Sequence, residues 1–177
     1  MNGRQIDDAF KLNPKLRYHG CFMNKYIPKI KEKNCFFVVN TLKNVGGIGH
    51  WVMFYILDYH MYFFDSLGKE PSYYTGDIYR VYNQHMFNKT IVFKNRIQNI
   101  FSSVCGAYVI YFAYEMFKHE NICIIKSKFT LTYFKNDDIV VKYVNKLLGI
   151  DTTCNAKFCP MYMYLENSCQ KYCKCSI

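Results

Sequence analysis

The chain has 177 residues, 51% of them hydrophobic and 19% aromatic, and its 23 Lys+Arg against 13 Asp+Glu give a net charge of +10. This composition excludes a disordered chain, which needs low hydrophobicity, and is expected of one domain, residues 1–177, with a sizeable core. The longest apolar run, Val104 to Tyr114, stops at Glu115, well short of the roughly 18 residues of a membrane span. The reading is a soluble, non-membrane chain. Its first residues, Met1-Asn2-Gly3-Arg4-Gln5, lack a basic stretch followed by an apolar one, so an intracellular location is expected.

Of the basic residues only Arg4, Arg17, Arg80 and Arg96 are arginine. Lys, Asn, Ile, Tyr and Phe share A/T-rich codons, so genome composition accounts for the excess without selection for binding. Weak, salt-dependent polyanion binding remains an expectation, since a surface of this charge attracts phosphates whatever its origin. Nine cysteines are an odd number and do not describe a secreted disulfide framework. Cys154, Cys159, Cys169, Cys173 and Cys175 crowd the end of the chain without a Cys-x2-Cys pair. They read as unpaired thiols or one opportunistic disulfide ahead of zinc ligands, and no metal is expected.

In chain order, residues 1–33 are polar around Tyr18-His19-Gly20-Cys21-Phe22 and predict short helices and loops capping something larger. Asn34 to Thr41 predicts a buried strand, and the glycine-rich stretch 46–49 a loop. His50 to Leu57 and Tyr59 to Phe64 predict a hairpin, ended by Asp65-Ser66-Leu67-Gly68. A helix is predicted near Gly76 to His85 and a strand over Thr90 to Lys94. Cys105 to Lys118 is apolar on nearly every face and predicts a helix buried on all sides, with Ser102 and Ser103 as N-cap candidates. A last helix is predicted from Asn136 to Leu148, ended by Gly149. A catalytic core would then span about 18–150, and residues 151–177 form a Cys-rich extension.

Cys105 is the thiol with an unusual predicted position, because it opens the buried helix at the end carrying partial positive charge and free N–H groups. Both favour thiolate. Gly106 beside it leaves room for a substrate backbone. Read alone, such a cysteine is more often a small core residue. His50 shifts the balance, since it stands at a strand mouth behind the glycine-rich loop. If the hairpin turns at Leu57-Asp58, Asp65 faces His50 directly, and a shift of one residue leaves them diagonal neighbours. A carboxylate there fixes the imidazole's tautomer and stabilises the imidazolium. The backbone N–H of Cys105 and the amide of Gln98, seven residues upstream, are candidate donors to an oxyanion. Cys35 and Cys123 are expected to be packing residues. Trp51 fits either a place beside the site or a place in the core.

These residues resemble the adenovirus-type maturation cysteine proteases, the adenain family. The likeness runs through Val38-Val39-Asn40-Thr41, Gly46-Gly47-Ile48-Gly49-His50-Trp51, Phe64-Asp65-Ser66-Leu67-Gly68, Gln98 and Cys105-Gly106, over about residues 18–120. It implies Cys105 as nucleophile, His50 as general base and then acid, Asp65 as orienting carboxylate, and Gln98 with the Cys105 N–H as oxyanion hole. Gly47, Trp51 and Gly106 would line the substrate slot. The implied fold is α+β, a central mixed β-sheet against a buried helix that carries the nucleophile at its N-terminus. The implied activity is cleavage of viral capsid or core precursors at Gly-Gly or Gly-x sites, by a monomer in the nucleus or viral factory that is packaged in the virion. The family usually has Glu where this chain has Asp65. No cysteine lies between residues 66 and 104, so a disulfide-linked peptide activator is not expected there; non-covalent peptide or DNA activation stays open, and no other cofactor is required. Two further readings are kept: a SUMO- or ubiquitin-like deconjugating protease, which usually has Asp where this chain has Val104, and a non-catalytic basic nucleic-acid-binding protein.

Overall fold

Cys35–Asn40 is apolar at almost every position because the strand it forms is covered on both faces. The structure, a computed structural model, describes residues 1–42, 49–83 and 89–150. Helix α1 (Gly3–Lys11) is followed by strands β1 (Tyr18–Met23), β2 (Cys35–Asn40), β3 (Trp51–Leu57) and β4 (His60–Phe64). Helix α2 (Asp77–Tyr82), strand β5 (Lys89–Val92) and helices α3 (Cys105–His119), α4 (Ile122–Ser127) and α5 (Tyr133–Leu147) complete the chain. The strands form one sheet in the order β1-β2-β3-β4-β5. Its two outer pairs are parallel and its two inner pairs antiparallel. The protein is therefore of the α+β class with a mixed sheet.

Alternate residues along each strand serve opposite faces. Phe36, Val38, Trp51, Met53, Tyr55 and Phe64 join the cluster that contains α3, α1 and α5. Phe37, Val39, Val52, Phe54, Ile56, Met61 and Phe63 join the other, under Ile27, Ile30 and α2. Helix α3 is the centre of the first layer. From Gly106 to Ala113 every one of its residues is buried, as a helix wedged between a sheet and other helices requires.

Several expectations are corrected. The hairpin turns at Asp58-Tyr59, because Met53 pairs with Phe64 and Leu57 with His60. Asp58 takes the left-handed conformation there (φ 52°). Asp65 is therefore a diagonal neighbour of His50 rather than its direct partner. Residues 18–23 form an edge strand, β1, whose register slips between Tyr18 and Cys21, where Gly20 has φ 123°. Neither Ser102 nor Ser103 caps α3: Val104 stands at the N-cap with no side-chain cap, and the Ser102 hydroxyl is committed to the Asn99 carbonyl at 2.9 Å. Helix α5 starts at Tyr133, three residues before the expected Asn136. Cys35 is buried as expected, whereas Cys123 is exposed, on a helix whose only buried residue is Ile125. The predicted glycine loop, including Gly47, lies largely outside the described residues, as do His85 and the cysteine-rich extension.

Phe64 is fully buried and stacks on Phe112 of α3 with centroids 4.0 Å apart. Phe64→Ala should lower unfolding free energy by about 3–5 kcal/mol in urea denaturation. A loss below about 1 kcal/mol would contradict this packing.

Candidate active site

The site begins where α3 begins. With no side chain capping its first turn, the backbone N–H groups there remain available, and the helix dipole places partial positive charge at Cys105. His50 is held by its own backbone: its N–H donates to Thr41 Oγ1 at 3.1 Å and its carbonyl accepts from the Thr41 N–H at 2.8 Å. These bonds extend the β2–β3 pairing past the end of the strands and fix the direction of the ring.

The His50 Nε2 lies 2.6 Å from Asp65 Oδ1. The ring also lies close enough to Cys105 for each to shift the other's titration. Three of the four predicted catalytic residues are thus brought together, His50 bonded to Asp65 and adjoining Cys105. Burial pushes the Cys105 thiol up, but hydrogen bonding and charge from His50, with a backbone bond at Trp51, outweigh it and hold the thiol below its ordinary value. Burial likewise disfavours a charged His50; its bonds to Asp65 and Cys105 prevail and push it up to about 9. Both shifts favour the same charge distribution, a thiolate beside an imidazolium.

Asp65 is fully buried, and donors surround it. Besides His50, Oδ1 accepts the Leu67 N–H at 2.8 Å, while Oδ2 accepts the Lys69 N–H at 3.1 Å and the Tyr74 hydroxyl at 2.6 Å. The turn that brings these amides back requires Gly68. Its φ is +71°, and a Cβ there would stand 2.6 Å from the Arg96 nitrogen, in the segment leading to Gln98.

Gln98, the fourth predicted residue, is buried and is tied to Ser66, the neighbour of Asp65. The Ser66 carbonyl accepts from the Ile97 and Gln98 N–H groups at 2.9 and 3.0 Å. The Ser66 hydroxyl donates to Gln98 Oε1 at 2.6 Å. The amide nitrogen of Gln98 turns to Ser102, donating to its carbonyl at 2.9 Å. The same loop is fastened to the helices behind it: Asn136 Nδ2 donates to the Ile97 carbonyl at 3.0 Å, and the Asn99 N–H reaches Asp137 at 3.3 Å.

The space beside Gly106 is taken by Met1. A Cβ on Gly106 would stand 2.7 Å from Met1 Cβ, so the closeness expected of this glycine is real but its neighbour is the chain's own first residue. Trp51, 8% exposed, belongs to the core cluster and also donates its indole N–H to the Met1 carbonyl at 3.0 Å. Burial lowers the Met1 amino group, with Cys105 opposing from nearby. Met1 is aimed there by α1, whose cap residue Asn2 exchanges hydrogen bonds with Gln5 at 2.8 and 3.0 Å.

Sequence reasoning missed Ser66, Tyr74 and Met1. The Asn2-x-x-Gln5 spacing was a usable signal for the cap that places Met1; Tyr74, in a loop, offered none. Among the described residues no group of three or more His, Cys, Asp and Glu could hold a metal ion, and no helix is long and apolar enough to cross a membrane. No protein-family model matches the chain, and no curated protein matches it.

Because Cys105 is lowered below its ordinary value and His50 raised to about 9, the ion pair should persist up to about pH 9. Iodoacetamide, which reacts with thiolate, should label Cys105 at pH 6 well ahead of Cys35, pushed up to about 11, and Cys21, pushed up to about 12. His50→Ala removes the largest influences lowering the thiol, leaving the weaker ones from the Trp51 backbone and the Met1 amino group against burial, so labelling at pH 6 should fall by about tenfold or more. Peptide mapping reads both; equal labelling of Cys105 in the variant would contradict the pairing.

Proposed function

We propose that the chain is a cysteine endopeptidase of the adenovirus maturation type, acting on viral capsid or core precursors at Gly-Gly or Gly-x sites inside the host cell. The observation that carries this reading is the grouping of Cys105, His50 and Asp65, with the thiol at the start of a buried helix and held below its ordinary value by the imidazole. That is the arrangement acyl transfer to sulfur needs. The mixed sheet packed on that helix is also what the resemblance leads one to expect of the fold.

In the reaction, Cys105 Sγ attacks the scissile carbonyl carbon. The oxygen takes up the electron pair, and the Cys105 N–H with the Gln98 amide stabilises it. His50, already an imidazolium, gives its proton to the leaving amine, and the C–N bond breaks to leave a thioester. His50, now neutral, takes a proton from water, whose oxygen attacks the thioester; the proton returns to Sγ or is kept on the ring as the acid departs. Asp65 keeps Nε2 occupied throughout, which leaves Nδ1 as the nitrogen that serves the sulfur. A glycine-rich substrate suits a helix start where Gly106 itself carries no side chain, because two glycine backbones can approach closely. Substrate occupying that side displaces Met1.

Cleavage of internally quenched Gly-Gly peptides, with and without DNA, tests the reading. Cys105→Ser should abolish turnover, and Gln98→Ala should lower kcat by about two to three orders of magnitude. Turnover of a ubiquitin-like fusion but of no Gly-Gly precursor peptide would favour the deconjugating enzyme instead. Tight DNA binding with a steep salt dependence and no turnover would favour the nucleic-acid-binding reading.

A further inference from the structure

The geometry points to Ser66 as a positioning residue for the oxyanion-hole amide, so that Asp65-Ser66 sets both halves of the catalytic machinery from one turn. The inference rests on the protease reading and names a residue that reading does not use. An amide side chain is nearly symmetric in shape, and only its hydrogen-bond partners decide which end is the donor. At Gln98 the acceptor-only Ser102 carbonyl sets the direction, with the Ser102 hydroxyl also 3.4 Å from Nε2, and the Ser66 hydroxyl then holds the oxygen end in place. The Ser66 hydroxyl lies 2.6 Å from Oε1 and the Ser102 carbonyl 2.9 Å from Nε2. Turning the amide over would set its oxygen against the Ser102 carbonyl oxygen, which has no proton to offer. Ser66 supplies the donor that makes the working orientation complete.

Both ends of this contact are rigid. Ser66 is fully buried and Gln98 is 2% exposed. The Ser66 carbonyl binds two successive amides, Ile97 and Gln98, which fixes the distance between the turn and the loop, and Gly68 admits the Arg96 backbone where any side chain would obstruct it. The preceding residue sends its carboxylate to His50 at 2.6 Å. Asp65 and Ser66 open one turn, closed by the Gly68 N–H on the Asp65 carbonyl at 2.9 Å, so one dipeptide reaches the base with Asp65 and the oxyanion donor with Ser66. Ser66 touches no reacting atom and acts through Gln98. An oxyanion donor works only if it is held in place before charge develops, and a displacement of about 1 Å can cost about 10²-fold.

The test compares Ser66→Ala, Gln98→Ala and the double variant, using turnover of an internally quenched Gly-Gly peptide and iodoacetamide labelling of Cys105. Alkylation forms no oxyanion, so it reports the Cys105–His50 pair and the fold independently of Gln98. Ser66→Ala is expected to lower kcat by about ten- to a hundredfold with KM little changed, and to leave the rate and pH profile of Cys105 alkylation as in the parent. The double variant should be no slower than Gln98→Ala alone, because the hydroxyl has no other route to the chemistry. Multiplicative losses, an unchanged kcat in Ser66→Ala, or a Ser66→Ala protein that also loses Cys105 alkylation would each overturn the inference. A parent that alkylates normally but shows no turnover, or a Gln98→Ala variant of full activity, would instead remove the reading beneath it.

Discussion

A single buried carboxylate organises this site. Asp65 has no contact with solvent, and a charge so placed is tolerated only where hydrogen bonds replace the water it has lost. Four donors do so: the ring of His50, the amides of Leu67 and Lys69, and the hydroxyl of Tyr74. The demand shapes the chain around it. The turn must curl back within four residues, Gly68 must adopt a positive φ, and the loop carrying Gln98 can then approach closely enough to bind Ser66. His50 receives from this centre both its orientation and its charge. The Cys105 thiol is held below its ordinary value chiefly by His50, at the uncapped start of α3.

The sheet makes this possible by fixing where its strands end. His50 lies one residue before β3 and Asp65 one residue after β4, so both stand at the same edge of an antiparallel pair. Phe64, the last residue of β4, stacks on Phe112 of α3. Sheet and helix α3 are thereby locked together one residue from the carboxylate. Met1 completes the picture on the other side of Cys105. Its carbonyl holds the Trp51 indole and its side chain packs on Gly106, which couples the first turn of α1 to the place a substrate backbone would use.

The hairpin, the buried helix and its first residue were legible because each is written in long apolar runs with sharp polar ends. The register was less so. Asp58 adopts a left-handed conformation that moves the turn to Asp58-Tyr59, and composition around Leu57-Asp58-Tyr59 does not distinguish the two. The pairing of His50 with Asp65 survived the shift because a diagonal neighbour is still within reach of these side chains. Strand β1 escaped notice for a different reason: it lies at the sheet edge, half exposed, and a bulge at Gly20 breaks its alternation. Ser66 and Tyr74 were invisible as site residues because the partners of a buried group are set by where loops pass in space. No local pattern records that path.

The central claim is that Asp65 and Cys105 together hold His50 as an imidazolium at neutral pH. The most direct measurement is nitrogen NMR of the histidine rings across a pH titration, with His50 assigned by its loss in His50→Gln. The account predicts that His50 carries protons on both ring nitrogens at pH 7 and titrates near 9, and that Asp65→Asn and Cys105→Ser each lower its pKa. A His50 that is neutral at pH 7, titrating at or below the ordinary histidine value of about 6.5, would contradict it.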